Sequence, residues 1–200
     1  MARYTGPKRK LSRREGMALF AKDEKIFERK GIVLPGQTGR GRKRKPSEYG
    51  IQLREKQKAK RMFGLLEKQF RRYFKVASKV KGATGHHLLL GLETRLDNVV
   101  FRLGLTKSRN NARQLVTHGH INVDGKKVSI PSFALKVGQT VALSGKIVDN
   151  IQVKKSLEEN QTLPEWLMRK ATVGKVLRLP EREEMEKSIN EQLIVEYYSR

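Results

Sequence analysis

The sequence predicts an α+β fold with a basic N-terminal arm, a helical domain and a small helix–helix–strand module that contains short antiparallel strands. Three observations lead to this prediction. Apolar residues recur at helical spacing between residues 47 and 116, an alternating pattern surrounds an Asp-Gly pair, and the first 46 residues combine glycines with many cations. The predicted domains are the arm (1–46), the helical domain (47–93), the module (94–149) and a C-terminal segment and tail (150–200) that packs back against the helical domain.

The arm is expected to be partly extended rather than an independent domain. Residues 8–16, KRKLSRREG, hold five cations in nine residues. Residues 31–46, GIVLPGQTGRGRKRKP, are rich in Gly and basic residues, which is typical of an extended segment in contact with a polyanion. A short helix is expected over residues 17–28. The alternative is that the arm is disordered alone and becomes ordered on its partner.

The helical domain is predicted from caps and apolar spacing. Ser47 follows Pro46 and is expected to cap a helix that runs to Gly64. A second helix follows, because Phe70, Phe74 and Ala77 recur at i, i+4 and i+7 and form an apolar face. The leucines in residues 88–92 predict a short buried helix that leads into the module.

The module is predicted to begin with two helices. Thr94 is the expected N-cap of the first, with Asp97 completing a shortened capping box. Apolar residues at i, i+3, i+4 and i+7 predict this helix up to Gly104, which suits a position of positive φ. Ser108 is expected to cap the second helix, which ends at Gly119.

Strands are expected after these helices. Alternating apolar residues follow residue 120, and Asp124-Gly125 is expected to form the turn of a β-hairpin that continues through residues 128–130. The apolar positions in residues 140–153 predict further strands. Trp166 is expected to pack a loop against the body. The tail is expected to dock through an apolar face that consists of Ile189, Leu193 and Ile194.

The charge of the chain favours a polyanionic partner. The net charge is +24, from 44 Lys and Arg against 20 Asp and Glu, and it divides into +19 for residues 1–95, +5 for residues 96–149 and 0 for residues 150–200. Such a field attracts nucleic acid or an anionic membrane surface. No uncharged apolar run approaches the roughly 18–20 residues that span a bilayer, and the N-terminus lacks the apolar stretch of a secretory signal. We therefore expect nucleic acid and no membrane.

The side chains offer little for metal binding or catalysis. The chain has no cysteine, which excludes disulfides and thiolate metal sites within it and fits a reducing cytoplasm. The four histidines lack partners at zinc-like spacing, so a zinc site at His118 and His120 is a weaker alternative to histidines that face RNA or are hydrogen-bonded. We predict no metal, no cofactor and no small-molecule substrate.

The start of the second module helix carries a cluster of cations. Lys107 and Arg109 lie beside it, and Arg113 follows one turn later. A helix N-terminus already attracts anions, so these cations strengthen an anion site for which a phosphate backbone is a natural ligand. The alternative is a solvated basic helix face.

Two stretches of the module carry a specific resemblance. R-L-D-N-V-V-F-R-L-G-L, followed by S-R-N-N-A-R-Q-L-V-T-H-G-H-I-N-V-D-G-K-K-V, resembles the RNA-binding module named after small-subunit ribosomal protein four. Similar modules occur in pseudouridine synthases and tyrosyl-tRNA synthetases, so the flanks must decide. The flanks PSEYGIQLREKQKAKRMFG and LPERE…INEQLIVEYYSR resemble the bacterial small-subunit ribosomal protein four family, and the resemblance is weakest over residues 5–45. Many members bind zinc through four N-terminal cysteines, and this sequence is similar to the zinc-free type.

The resemblance implies a structural, non-enzymatic protein of the small ribosomal subunit in the cytoplasm. It implies direct binding to the five-prime domain of small-subunit ribosomal RNA at a junction of several RNA helices, nucleation of subunit assembly and an influence on translational accuracy near the entry path of messenger RNA. The first expected protein neighbour is small-subunit protein five. Some relatives repress their own messenger.

Candidate RNA-binding residues come from three regions. Those carried over to the module by resemblance are Arg95, Asp97, Lys107, Ser108, Arg109, Arg113, Gln114, His118 and His120. Those carried over to the helical domain are Ser47, Tyr49, Gln52, Arg54, Lys56, Gln57, Lys58 and Arg61. Those proposed in the arm from charge are Arg13, Arg14, Arg42, Lys43 and Arg44. Two assignments stay open, since Asp97 is alternatively a cap or a partner of Arg95, and Tyr49 either stacks on a base or packs in the core.

Two other functions are alternatives to the ribosomal one. An RNA-modifying enzyme with the same module needs a large catalytic domain, and residues 150–200 are too few for one. A general nucleic-acid-binding protein explains the charge but not the module. The sequence also predicts that replacing Arg109 and Arg113 by Ala weakens RNA binding while folding stays nearly intact, because exposed substitutions usually change stability by about 0.5 kcal/mol or less.

Overall fold

The computed structural model describes residues 4–30, 33–36, 45–148, 150–158 and 162–200. Within these residues the fold is α+β, which confirms the prediction. The helices are α1 (Lys8–Glu15), α2 (Ala21–Lys30), α3 (Glu48–Met62), α4 (Glu67–Ala77), α5 (Thr84–Glu93), α6 (Leu96–Arg102), α7 (Arg109–Thr117), α8 (Gly145–Val148), α9 (Ile151–Glu158) and α10 (Glu191–Ser199). The strands are β1 (Ile121–Val123), β2 (Lys126–Lys127), β3 (Thr140–Leu143), β4 (Leu167–Lys170) and β5 (Val173–Val176).

The chain forms two compact units. Unit 1 consists of Met1–Gly85 together with Ser188–Arg200, and unit 2 consists of His86–Lys187. The predicted module bounds, 94–149, lie inside unit 2, and only the last part of the predicted C-terminal segment belongs to unit 1. The reason is a strand pairing, since β5 joins β3 and thereby brings residues after 150 into the sheet of unit 2.

The described part of the arm contains two helices, α1 and α2, while residues 33–36, in the stretch expected to be extended, belong to no helix or strand. α1 was not predicted, and α2 begins and ends later than the predicted helix over residues 17–28. The buried hydroxyl of Ser12 joins the two helices, because it donates to Asp23 and accepts the N–H of Leu19 at 3.4 Å. The sequence did not indicate this contact, because Ser12 is a short polar residue within a run of charged ones. Much of the Gly-rich stretch, residues 37–44, lies outside the described residues.

Two predicted features of unit 1 are confirmed. Ser47 caps α3, and its hydroxyl accepts the N–H of Gly50 at 3.2 Å. The apolar face of α4 is also confirmed, with Phe70 and Ala77 buried and Phe74 stacked on Tyr198 at a centroid distance of 4.5 Å.

The tail docks within unit 1 as predicted. α10 packs against α3, and both Ile189 and Ile194 are buried. Asn190 caps α10 by accepting the N–H groups of Gln192 and Leu193. The helix that was predicted over the leucines is α5, in which Leu88, Leu89 and Leu92 are buried.

Unit 2 packs helices against an antiparallel sheet with the strand order β2-β1-β3-β5-β4. Gly104 and Gly119 end α6 and α7 with φ of 68° and 73°, as predicted. Asp124 and Gly125 both have positive φ, 48° and 78°, which is the combination that a type I′ hairpin turn requires. The apolar core of this unit consists of Leu96, Val99, Val100, Leu103, Leu105, Ala112, Val116, Ile121, Val123, Leu135, Val141, Leu143, Val153, Trp166, Leu167 and Val176.

Two predictions for the start of the module and its hairpin are wrong. Thr94 does not cap α6, because its hydroxyl donates to the carbonyl of Leu90 at 2.9 Å and Arg95 occupies the N-cap position. The second hairpin strand ends at Lys127 rather than continuing to residue 130. Ile130 is 54% exposed, so no buried face extends the strand that far.

The region after β3 also differs from the prediction. Helices α8 and α9 occupy residues for which strands were predicted. Val153 and Leu157 pack on the core at an i, i+4 spacing, which suits one helix face and outweighs the β propensity of the valines and isoleucines. The β4–β5 hairpin was missed because its turn places Ala171, not Gly or Asn, at positive φ. No helix in the described ranges has the length and the apolar character needed to cross a bilayer.

Candidate nucleic-acid interface

Helix α7 has one buried face and one exposed polar face. Ser108 caps it as predicted, since its hydroxyl accepts the N–H of Asn111 at 3.3 Å. Ala112, Arg113 and Val116 are buried. Asn111, Gln114 and His118 are exposed and recur at i, i+3 and i+7, so they share one face, and exposed Lys107 precedes the helix.

The β1–β2 hairpin adds cations next to the end of this helix. Lys126 and Lys127 are exposed, and the side chain of Lys127 lies over Gly119 so closely that a Cβ at that position would overlap it. The rings of His118 and His120 lie 6.2 Å apart at the same end of the helix. We use the name module surface for Lys107, Asn111, Gln114, His118, Lys126 and Lys127. Asn111 and the two hairpin lysines were not among the predicted contacts, although the Asp-Gly-Lys-Lys run offered a signal for the lysines.

Three residues that were expected to face RNA are instead buried together. Arg95 is 2% exposed, and its guanidinium donates to both carboxylate oxygens of Asp97, at 3.0 and 2.8 Å. Arg113 lies 3.7 Å from the same carboxylate. Asp97 is therefore the partner of Arg95, which was one of the alternatives to an RNA contact. A buried carboxylate between two guanidinium groups holds the start of α6 against α7 rather than offering charge to a ligand.

Arg109 is also engaged within unit 2. Its Nε donates to the side-chain oxygen of Asn98 at 2.9 Å, and its Nη2 donates to Glu186 at 2.9 Å. The guanidinium lies 4.8 Å from the ring centre of Phe101. Burial lowers the pKa of Arg109, while Glu93 and Glu186 oppose the shift. This residue therefore anchors α7 to α6 and to the segment that contains Glu186.

Glu93 completes this network from the end of α5. Its side chain is 1% exposed and accepts hydrogen bonds from Asn98 at 2.6 Å and from Arg102 at 2.7 and 3.1 Å. Arg102 lies 3.6 Å from Glu186 as well. Burial alone would lower the pKa of Arg102, but Glu93 and Glu186 raise it. Glu93 and Glu186 therefore neutralise Arg102 and Arg109, and the sequence pattern gave no sign of these pairings.

Most predicted contacts on α3 are paired with carboxylates of unit 1. Arg54 and Arg61 both donate to Glu15, whose side chain is 1% exposed, with Arg54 at 3.1 Å. Burial raises the pKa of Glu15, and the two arginines oppose that shift. Lys58 pairs with Glu55 at 2.7 Å. Glu15 therefore holds α1 against α3, and it pairs with two arginines that were predicted to bind RNA.

Lys56 and Gln52 belong to the packing between α3, α4 and α10. Lys56 is 4% exposed, pairs with Glu67 at 2.9 Å and lies 4.5 Å from the ring centre of Tyr197. Gln52 is buried and donates to Glu196 at 2.9 Å. Burial alone would raise the pKa of Glu67, but hydrogen bonds from Lys56, Lys60 and Tyr198 lower it to about 2. These side chains join three helices of one unit.

The remaining predicted residues occupy varied positions. Tyr49 is 49% exposed, and the centre of its ring lies 5.7 Å from that of Tyr197. Gln57 is half-buried, and Arg14 is exposed. Arg13 donates to the carbonyls of Val33 and Leu34 at 2.7 and 3.1 Å. Ser47 is exposed at the start of α3, and His120 is half-buried. Arg42, Lys43 and Arg44 lie outside the described residues.

Sequence reasoning missed a second cationic surface, on α4. Lys68, Arg71, Arg72 and Lys75 are exposed on the side opposite Phe70 and Ala77. The signal was present, because these cations recur at i, i+3, i+4 and i+7. It was missed because the aromatic residues of the same helix were interpreted for the core alone.

Comparisons with known proteins agree over the whole chain. The family described as "Ribosomal protein S4/S9 N-terminal domain" matches residues 3–93, and the S4 domain matches residues 94–141. The chain is 55% identical over 207 residues to small ribosomal subunit protein uS4 of Dictyoglomus thermophilum, with all of both chains covered. It is 50% identical over 202 residues to the proteins of the same name from Lysinibacillus sphaericus and Geobacillus stearothermophilus, again with both chains fully covered.

Proposed function

The chain belongs to the ribosomal protein S4 family, and we propose that it binds small-subunit ribosomal RNA directly through the module surface of unit 2. It is a structural ribosomal protein and not an enzyme, as the sequence predicted. The observation that carries the proposal is the exposed polar face of α7 beside the two hairpin lysines, within the residues that match the S4 domain.

The chemistry of this surface suits a folded RNA. Lys107, Lys126 and Lys127 bring charge to phosphates, and these contacts position the protein without reading sequence. Gln114, Asn111 and His118 supply hydrogen-bonding groups that reach sugars and base edges in the wide minor groove of an A-form helix. The buried arginines contribute by fixing α7, so that the exposed face has one orientation.

We extend the proposal to the place of this protein in the subunit. Its RNA site is the five-prime domain of small-subunit ribosomal RNA, at a junction of several helices, and its binding nucleates assembly. In the finished subunit it influences translational accuracy near the messenger RNA entry path, in contact with small-subunit protein five, and it works in the cytoplasm. The support for these finer points is the full-length likeness to proteins named small ribosomal subunit protein uS4.

Binding to three nucleic acids tests the proposal. Purified protein is titrated with the isolated five-prime domain of small-subunit ribosomal RNA, with an unrelated structured RNA of equal length and with duplex DNA, each over a salt series. We expect affinity for all three to fall as salt rises, because counterion release drives the phosphate contacts. We expect the preference for the five-prime domain to persist at the physiological ionic strength of about 0.15 M. Equal affinity for all three would mean that charge alone determines binding.

A further inference from the structure

The turn of the β1–β2 hairpin contains a side chain and a backbone nitrogen that can react with each other. The carboxyl carbon of Asp124 is an electrophile for the backbone nitrogen of Gly125, and a glycine there has no side chain to hinder the approach. Both residues are exposed. Beyond its two chain neighbours, no atom of the described residues lies within 4 Å of a Cβ built at Gly125. The surrounding protein therefore does not obstruct the reaction.

Hydrogen bonds from the start of β3 and from the residue before it restrain the carboxylate of Asp124. Its Oδ1 accepts the backbone N–H of Thr140 at 2.8 Å and the hydroxyl of the same residue at 3.1 Å. Its Oδ2 accepts a hydrogen bond from the side-chain nitrogen of Gln139 at 2.9 Å. The backbone is fixed as well, since the N–H of Asp124 donates to the carbonyl of Thr140 at 3.0 Å.

We propose that Asp124-Gly125 is a site of isoaspartate formation, that Thr140 and Gln139 slow the reaction in the folded protein, and that the modification displaces the hairpin lysines of the module surface. The first two parts depend on the chemistry of the turn alone. The effect on RNA binding rests on the proposed function, because that function makes the module surface the RNA contact.

The reaction has two steps and consumes only water. In the first step, the nitrogen of Gly125 forms a bond to Cγ of Asp124, and the carboxyl hydroxyl leaves as water with the proton that the nitrogen gives up. The product is a five-membered succinimide ring. In the second step, water adds to one ring carbonyl and the C–N bond on that side breaks. Cleavage at Cγ restores aspartate, whereas cleavage at the main-chain carbonyl leaves isoaspartate, in which the main chain runs through Cβ and Cγ.

The contacts with β3 oppose ring closure in two ways. The carboxyl group must rotate toward Gly125, which breaks its bonds to Thr140 and Gln139. It must also be neutral to lose water. The hydrogen bonds from the Thr140 backbone and from Gln139 lower the pKa of Asp124, so the neutral form is rarer at neutral pH. Separation of the hairpin from β3 removes both restraints together.

Isoaspartate changes the hairpin that carries Lys126 and Lys127. It adds one carbon atom to the main chain within a two-residue turn, and the length of that turn sets the register in which Val123 faces Lys126. In this register the side chain of Lys127 lies over Gly119 at the end of α7. A longer turn shifts the second strand, so the two lysines no longer hold their places beside α7.

The test measures isoaspartate in the full-length chain after incubation at neutral pH. Trypsin cleaves after Arg113 and Lys126 and releases residues 114–126. Chromatography separates the two isomers of this peptide. Endoproteinase Asp-N identifies them, because it cuts before aspartate but not before isoaspartate.

Two variants each remove one side-chain donor to Asp124. Thr140→Val keeps the backbone N–H and the strand propensity and loses the hydroxyl. Gln139→Glu keeps an oxygen that can accept the N–H of Lys136 and loses the amide donor. The matched control is Thr172→Val, at a half-buried threonine between β4 and β5. Thermal unfolding shows that each variant is folded at the incubation temperature.

The proposal predicts the order of the rates. We expect isoaspartate to form about fivefold faster in Thr140→Val and in Gln139→Glu than in the parent, the factor that corresponds to one ordinary hydrogen bond. Thr172→Val should match the parent. The parent in urea should react fastest, and this comparison needs no variant. Equal rates in the folded and the urea-unfolded parent would overturn the proposal, and so would folded variants that react no faster than the parent.

The effect on RNA binding is tested with aged parent protein. Protein that contains both isomers is mixed with a limiting amount of the five-prime domain of small-subunit ribosomal RNA, and the bound and unbound protein are digested separately. We expect isoaspartate to be enriched several-fold in the unbound protein, and equal contents would overturn the proposed displacement of the lysines. If fresh protein does not prefer the five-prime domain over an unrelated RNA, the proposed function fails instead, while the rates of isomerisation still test the chemistry of the turn.

Discussion

Asp97 accepts hydrogen bonds from Nε and Nη2 of Arg95 at 3.0 and 2.8 Å, with the two side chains only 6% and 2% exposed. Arg113 approaches the same carboxylate from α7 at 3.7 Å. One acid therefore neutralises two buried cations that lie on either side of the α6–α7 connection. Paired donors in such a fixed geometry make this contact a determinant of how the two helices pack.

Replacing Asp97 by Asn should destabilise unit 2 strongly. The substitution keeps the shape but leaves two buried guanidinium groups without their counter-charge, and breaking a buried pair in this way costs about 3–5 kcal/mol. The free energy of unfolding in urea measures the loss. Asp124→Asn is the control, because that side chain is exposed and the substitution keeps an acceptor oxygen, so it should lower the free energy of unfolding far less. Equal effects of the two substitutions would show that the buried cluster adds no stability.

Replacing both Arg109 and Arg113 by Ala should lower the stability of unit 2, so a loss of RNA binding in this variant would not by itself show that the two side chains contact RNA. This reverses the expectation from sequence that folding stays nearly intact. Arg109 bonds to Asn98 and Glu186, and Arg113 faces Asp97, so the double variant leaves polar partners unpaired. We expect a loss of several kcal/mol in the free energy of unfolding, measured in urea. A loss of about 0.5 kcal/mol or less, the size usual for an exposed substitution, would support the expectation from sequence instead.

Replacing Lys107, Lys126 and Lys127 by Gln should weaken RNA binding and leave stability nearly unchanged. These side chains are exposed, so the melting temperature should change little, whereas affinity for the five-prime domain should fall. The slope of log affinity against log salt should decrease by about three. Lys136, Lys170 and Lys175, replaced together by Gln, provide a control of equal charge in the same unit. A slope that falls equally in both variants would assign the effect to net charge alone.

The sequence predicts helix and turn positions well where local chemistry decides them. Ser47 and Ser108 cap helices, and Gly104, Gly119 and the Asp124-Gly125 pair adopt the positive φ that their positions require. In each case a few neighbouring residues determine the outcome. Charge pairing is different, because it depends on residues that are distant in sequence.

The roles of the cations could not be predicted for that reason. Arg109 and Glu186 are 77 positions apart, and Arg61 and Glu15 are 46 apart, so no local pattern indicates either pair. In the sequence, Lys68 and Arg72 look like the cations of α3, since both helices are rich in Lys and Arg. They differ in the structure, where no carboxylate of the described residues pairs with either side chain. The sequence therefore indicates how much positive charge the chain carries, and the fold decides how much of it faces outward.

Replacing Gly174 by Ala should destabilise the sheet of unit 2. A Cβ at this position in β5 would overlap the side chain of Leu103, which is itself fully buried. Overpacking of this kind costs about 1–3 kcal/mol. Gly145→Ala is the control, since no atom lies within 4 Å of a Cβ built there. Thermal unfolding compares the two, and an unchanged melting temperature for the Gly174 variant would mean that Leu103 moves aside at no cost.

Acid should weaken unit 1 through Glu67. Hydrogen bonds from Lys56, Lys60 and Tyr198 hold the pKa of Glu67 at about 2 in the folded protein, against an ordinary value of 4.5. A carboxyl with a lower pKa in the folded state stabilises the fold above its unfolded-state pKa and loses that contribution as the pH falls to the folded-state value. The window for Glu67 therefore runs from pH 4.5 down to about 2.

Glu67→Gln removes the charge and isolates this contribution. The side chain is 45% exposed, so solvent screening limits its stabilising effect to about 1 kcal/mol. We expect the variant to be less stable than the parent at pH 7 and the difference to shrink as the pH falls through that window, in urea unfolding measured at each pH. Glu48→Gln, at a carboxylate that is 91% exposed, should show no comparable trend. A stability difference that stays constant from pH 7 to pH 2 would mean that packing by the Glu67 side chain, not its charge, stabilises the junction of α3, α4 and α10.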